Sequence, residues 1–251
     1  MAQRKSADGR HVKSALRTIE VLEFLAERKA NPPRLSEICE ALDAPRSSVH
    51  ALLRTLVATE WVTDNGEGFS LGIRALTVGT AYIDADPYVR IARPTLADLA
   101  RSQGETFHMG RLDHNDVVYL LTQESERDMR TYSRVGRRLP AAVTGLGKAI
   151  LMSQPERVPE DIPACTPHSL TNREELLANL EEARQVGYAF DAQENTLGLV
   201  CVAFPLTYTD PVRDAISCSV PIERFSPDLR DSLVEAMRAA AMRIVQSAPL
   251  A

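Results

Sequence analysis

The chain has 251 residues, 44% hydrophobic and 25% charged, with a formal net charge of −5; this is the composition of a globular protein long enough for two domains. No run approaches the 18 or so unbroken apolar residues of a membrane span, MAQRKSADGRHVKS lacks the apolar core of a secretory signal, and Cys39, Cys165, Cys201 and Cys218 form no CxxC pair. These features argue against a membrane partner, export, a zinc site and a disulfide framework, and for a cytoplasmic protein with reduced thiols.

An acidic balance would disfavour nucleic acid, but the charge is segregated. In residues 1–19, Arg4, Lys5, Arg10, Lys13 and Arg17 face only Asp8, so residues 1–11 read as a basic arm, either contacting DNA or simply solvated. Ala15, Ile19, Leu22 and Ala26 then recur at helical spacing and predict a helix from Lys13 to about Arg28, ending before Asn31-Pro32-Pro33. Leu35, Ile38, Cys39 and Leu42 predict a second helix, and Asp43-Ala44 a short turn. A third helix runs over Pro45 to Thr59, with Val49, Leu52, Leu53, Leu56 and Val57 on one side and Arg46, Ser47, His50 and Arg54 on the other. Trp61-Val62-Thr63 and Phe69-Ser70-Leu71 flank an Asn65-Gly66 turn and read as a hairpin. Three helices and a hairpin make a winged helix-turn-helix over residues 12–72. Gly72 to Ala85 reads as a linker helix, placed at 73–86 and broken by Asp86-Pro87.

The second domain, 87–251, opens with a helix from Val89 to about Ser102. Strands over Thr106–Leu112 and Val117–Thr122 follow, around the turn Asp113-His114-Asn115-Asp116. Further helices are predicted over Thr144–Met152, Asn172–Gln185 and Pro227–Gln246, and strands over Leu199–Leu206 and Ala215–Val220. The class is α+β, with an antiparallel sheet flanked by helices.

A recognition helix packs one face on its own domain and offers polar and basic side chains to the major groove. Arg46, Ser47, Ser48, His50 and Arg54 suit that role, and Asn65 at the hairpin tip joins them as a DNA-binding candidate. An isolated amphipathic helix would more simply present a solvated face; the surrounding helix-turn-helix and hairpin favour DNA.

The motifs also carry a resemblance. Leu35-Ser36-Glu37-Ile38-Cys39, Pro45-Arg46-Ser47-Ser48-Val49-His50-Ala51-Leu52-Leu53-Arg54-Thr55-Leu56 and Phe69-Ser70-Leu71-Gly72 resemble the DNA-binding half of the IclR family of regulators. Arg93-Pro94, Gly104-Glu105-Thr106, Thr144-Gly145-Leu146-Gly147-Lys148-Ala149, Gly187-Tyr188-Ala189 and Leu197-Gly198-Leu199-Val200-Cys201 are similar to its effector domain. The resemblance spans roughly residues 12–245. It implies a GAF-like effector domain, homodimers or dimers of dimers, and a repressor that releases operator DNA when a small organic acid binds. An activator of a catabolic operon is the alternative. Family effectors include glyoxylate, sugar acids and aromatic acids; Phe107, Met109 and Met129 would suit a ring if they faced the pocket. Two positions depart from the pattern: Ala51, where a basic residue is common, and Asp43, where many such turns have Gly.

Gly145 and Leu146 open a helix whose first N–H groups lack internal partners and carry partial positive charge, an arrangement suited to a carboxylate. Gly145-Leu146-Gly147-Lys148 is not a phosphate loop, which would need Gly at Ala142 and Ser or Thr at Ala149. Ser217 and Ser219, two apart on a strand, share a face and can offer two hydroxyls to one anion. The resemblance adds Asp191, Cys201, Asp128 and Thr131 as pocket positions. Cys201 alone reads as a core residue, or less readily as the nucleophile of a hydrolase, for which no His is near in sequence. His108, His114, Asp113 and Asp116 suggest a metal, but lie in or near a hairpin turn where polar residues are expected. No catalytic residue, metal or cofactor is expected.

Overall fold

The computed structural model describes residues 11–28, 31–127 and 134–249; the basic arm lies almost wholly outside them. The chain divides between Tyr82 and Ile83 into two compact units.

In the first unit, helices α1 (Lys13–Glu27), α2 (Leu35–Ala41) and α3 (Arg46–Ala58) precede strands β1 (Val62–Asp64) and β2 (Phe69–Leu71), which pair antiparallel. One apolar stripe from each helix meets at Val21, Phe24, Leu25, Ile38, Val49, Leu53 and Leu56, with Val62 from the hairpin. The α2–α3 turn needs one residue in the left-handed region, and Asp43 supplies it at φ +44°. A short polar side chain tolerates that conformation without glycine. In the hairpin, Asp64 accepts from Gly66 N–H, and Asn65 accepts from Glu67 and Gly68 N–H at 3.0 and 2.8 Å. Helix α4 (Ile73–Ala85) has no buried residue, and Ile73, Leu76, Val78 and Tyr82 are all more than half exposed.

The second unit starts where Asp86 caps helix α5 (Pro87–Gln103), accepting from Tyr88 and Val89 N–H. That cap starts α5 two residues earlier than the apolar periodicity indicates. The remaining elements are β3 (Thr106–Asp113), β4 (Asp116–Gln123), β5 (Arg138–Pro140), α6 (Gly145–Leu151), α7 (Arg173–Val186), β6 (Ala189–Ala192), β7 (Leu199–Leu206), β8 (Asp214–Pro221) and α8 (Pro227–Ser247). The strands form one antiparallel sheet in the order β5-β4-β3-β8-β7-β6. The expected α+β architecture is therefore present: a helix-turn-helix with a hairpin wing, and an antiparallel sheet between helices.

Strand alternation divides this unit into two cores. Phe107, Met109, Val200, Val202, Phe204, Ile216, Cys218 and Val220 face α5 and α8. Ala189, Ala203 and Ala215 face α6 and α7, which contribute Leu146, Ile150, Leu176 and Leu180. A bulge between Met109 and Gly110, opposite Leu120, resets the alternation on β4. Leu121 joins the α5/α8 core, while Tyr119 comes round to the α6 side with His108.

At one end of the sheet, Arg111 on β3 binds Asp214 on β8 with two parallel hydrogen bonds of 2.7 Å and reaches Asp86 at 2.5 Å. Tyr208 donates to the same Asp214 at 2.6 Å and stacks on Tyr88 at 4.2 Å between ring centroids. The cap of α5 is thus fastened to the two central strands.

Candidate functional site

Two surfaces gather the sequence-predicted residues, one in each unit. On α3, Val49, Leu53 and Leu56 are buried and Arg46, Ser47, His50 and Arg54 are exposed. Arg46, His50 and Arg54 are spaced four apart and form one row along the helix. Leu35, Arg46, Ser47 and His50 line a shallow groove beside the start of α2. Ser48 is half-buried, and its hydroxyl lies 3.4 Å from the Arg17 guanidinium on α1, so it is partly committed to packing. Ala51 is exposed in the same surface. The side-chain oxygen of Asn65 is occupied by the turn, leaving its amide N–H₂ for a partner.

The second surface is a cavity between α6 and the sheet, with about 50 Å³ of interior space. Register explains its lining. Asp191, Cys201, Ser219 and Thr106 lie side by side across β6, β7, β8 and β3; Ala203, Ser217, His108 and Thr122 form the next row. The polar members of both rows turn away from the α5/α8 core. Asp191, Cys201, Ser217, Ser219, Gly145 and Leu146 all line the cavity, and so do His108, Tyr119, Arg137, Thr144, Asn195 and Thr196.

Helix α6 starts at the cavity wall. Thr144 caps it by accepting from Gly147 N–H at 3.1 Å, and the N–H groups of Gly145 and Leu146 have no hydrogen-bond partner among the described residues. Two orphan donors thus meet the cavity. Packing dictates both glycines: a Cβ on Gly145 would sit 3.1 Å from Cys201 Cβ, and one on Gly147 would sit 2.1 Å from the Ala141 carbonyl oxygen. Gly145 therefore serves first the close approach of α6 to β7.

Burial dominates the electrostatics of the site. Burial pushes the Asp191 carboxyl up to about 6, opposed by the hydrogen bond it accepts from Glu194 N–H and aided by the Glu194 charge. Burial also drives the Cys201 thiol far above its ordinary range, with the Asp191 charge adding to the effect. A thiol so held is a hydrogen-bonding group, 3.2 Å from Ser219 Oγ, and a poor nucleophile. Burial, with the Arg137 charge, lowers His108 to about 3, so its ring is neutral. Behind α6, fully buried Lys148 donates to Glu194 at 2.6 Å and Asn179 at 3.0 Å.

Asp128 and Thr131, like Met129, lie outside the described residues. Phe107 and Met109 belong to the opposite face of the sheet and do not offer a ring-binding wall, because alternation sends His108 and not its neighbours to the cavity. Asp113 and Asp116 both hold Arg138, and exposed His114 lies 3.0 Å from Asp113, apart from His108. The additional lining residues had a signal in the sequence only for His108, whose alternation with Phe107 and Met109 places it on the face of Thr106. No described helix is long and apolar enough to cross a membrane.

Comparison with known proteins matches residues 14–66 to the IclR helix-turn-helix domain and residues 80–246 to the C-terminal domain of bacterial IclR transcriptional regulators. The chain is 31% identical over 242 residues to the HTH-type transcriptional regulator KdgR of Dickeya chrysanthemi, covering 93% of this chain and 79% of that one. It is 32% identical over 222 residues to the HTH-type transcriptional repressor AllR of Salmonella paratyphi A, covering 84% and 81%. The crystal structure of an IclR transcriptional regulator from Alicyclobacillus acidocaldarius shares the fold, with a TM-score of 0.83 at 24% identity over 94% of this chain and 98% of that one.

Proposed function

Since the chain belongs to the IclR family of bacterial transcriptional regulators, we propose that it is a cytoplasmic repressor that holds operator DNA through α3 and its hairpin and lets go when a short organic acid enters the cavity. In this reading residues 12–72 grip DNA, residues 87–251 sense the acid, and α4 joins them. Arg46, Ser47, His50 and Arg54 contact bases and phosphates, and Ser48 and the Asn65 amide add backbone contacts. The exposed apolar face of α4, with Ile73, Leu76, Val78 and Tyr82, supports pairing with a second copy, which would present two recognition helices to a two-fold operator.

The observation that carries the sensing role is the convergence of donors on one small cavity, where Ser219, accepting from the Cys201 thiol, keeps its own O–H to give. Gly145 and Leu146 N–H, with the Ser217 and Ser219 hydroxyls, are the donor set a carboxylate requires. Asp191 and Cys201 shape the rest of the site, Asp191 as acceptor for a hydroxyl on the acid. Binding, not turnover, follows from a thiol kept protonated. The interior holds roughly four water-sized groups, which favours acids of two to four carbons over an aromatic ring.

The test is a thermal-shift screen of short carboxylates, repeated with operator DNA, then calorimetry on Ser217→Ala/Ser219→Ala. The double variant should bind the acid at least tenfold more weakly, about 1.4 kcal/mol, with unchanged affinity for operator in the absence of acid. Unaltered acid binding would move the site elsewhere, and lost operator binding would make the serines structural.

A further inference from the structure

The carboxylate grip uses one end of the cavity and leaves another polar end without a role. His108 and Tyr119 are 1% and 8% exposed, their rings meeting edge to face at 5.2 Å. Neither the Tyr119 hydroxyl nor His108 Nε2 has a hydrogen-bond partner among the described residues, although both side chains line the cavity. Both atoms keep accessible surface in the cavity, where a polar ligand can satisfy them. Arg137 stands beside them: its carbonyl accepts from Tyr119 N–H at 2.9 Å, and its guanidinium lines the cavity without an ion pair among the described residues.

We propose that Tyr119, His108 and Arg137 recognise a second carboxylate, so that the effector is a short dicarboxylic acid; the inference rests on the short-acid reading of the cavity given above.

The chemistry of the three groups sets the class. Arg137 can only donate. Burial, aided by the Asp191 charge, keeps the Tyr119 phenol protonated, so it donates as well. His108 Nδ1 lies 3.1 Å from Thr122 Oγ1; with that hydroxyl donating to Nδ1, the neutral ring carries its proton on Nε2, facing outward from the sheet hydrogen bonds. The two fixed donors, one of them a full positive charge, with His108 supplying a third in that tautomer, call for an anionic acceptor, and a planar guanidinium fits a carboxylate fork. An amine would be repelled by Arg137, and a lone hydroxyl would leave donors unfilled. Spacing sets the length. His108 and Ser217 are register partners on adjacent strands, so these two groups stand about one strand spacing, roughly 5 Å, apart. A chain of three or four carbons places its two carboxyl groups across that gap.

The test is calorimetry on the full-length protein with malonate and propionate, which have equal carbon number and differ in the second carboxylate. Malonate should bind at least tenfold more tightly. Arg137→Ala, at an exposed position that does not threaten the fold, and Tyr119→Phe, which keeps the ring, should each cut malonate affinity at least fivefold and change propionate affinity less than twofold. Equal affinity of wild type for the two acids would overturn the second carboxylate alone, as would variants that weaken both acids equally. Failure of both acids to bind wild type at millimolar concentration would overturn the short-acid reading and this inference with it. Propionate binding abolished by Ser217→Ala/Ser219→Ala would uphold the first end whatever the malonate result.

Discussion

Replacing Lys148 by methionine removes an ammonium that has no exposed surface and is held by Glu194 and Asn179. Methionine fills the same space, so the loss is electrostatic. Glu194 is left buried, its Oε1 without the ammonium and its Oε2 already without a partner. An uncompensated buried carboxylate costs about 3–5 kcal/mol, and in a unit of this size each kcal/mol lowers Tm by roughly 2–4 °C, so the variant should melt roughly 6–20 °C below wild type at pH 7. Lys148→Met/Glu194→Gln removes both charges and should recover most of that loss, because the penalty lies in the orphaned charge. Calorimetric melting of wild type, both single variants and the double variant closes the cycle. A single variant within about 1 kcal/mol of wild type, or a double variant equal to the sum of the singles, would refute the reasoning.

On α3, Arg54→Ala and His50→Ala should each weaken operator binding by about 1–3 kcal/mol per lost base contact, with Tm unchanged because both side chains are exposed; fluorescence anisotropy across a salt series that overlays wild type would sink the recognition-helix assignment. The Asp191 carboxyl, raised to about 6 from an ordinary 3.8, binds its proton more readily in the folded protein. It therefore contributes stability at acid pH that is lost as pH rises through about 6, and an anion beside it binds better once it is protonated. Acid affinity should rise as pH falls from about 7.5 to about 5.5, and Asp191→Asn should flatten the dependence; a wild-type affinity independent of pH in that window would remove Asp191 from the site.

The DNA-facing unit was legible because its signals are local. Helical periodicity marks Val49, Leu53 and Leu56, Asp43 marks the tight turn, and Asn65-Gly66 marks the hairpin. In the second unit, alternation alone brings Ser217 and Ser219 to one face, as the structure confirms. What escaped the sequence depends on nonlocal geometry. Tyr119 reaches the cavity because a bulge opposite Leu120 resets the strand, and nothing in Val117–Leu121 announces it. Lys148 sits in a stretch whose Gly-Leu-Gly-Lys resembles a phosphate loop, while its burial depends on Glu194 arriving 46 residues later. Strands β5 and β6 have three and four residues, too few for alternation to register.

The Arg111 cluster ties the central strands to the residue that follows α4. Arg111 lies three positions from His108 on β3, and Asp214 three from Ser217 on β8, about 10 Å of pleated backbone in each case. Both strands run from the cavity wall to the guanidinium that grips Asp86. Asp86 is the first residue after α4 ends at Ala85. The cavity wall and the joint at which the chain turns from one helix into the next are thereby built on the same two strands.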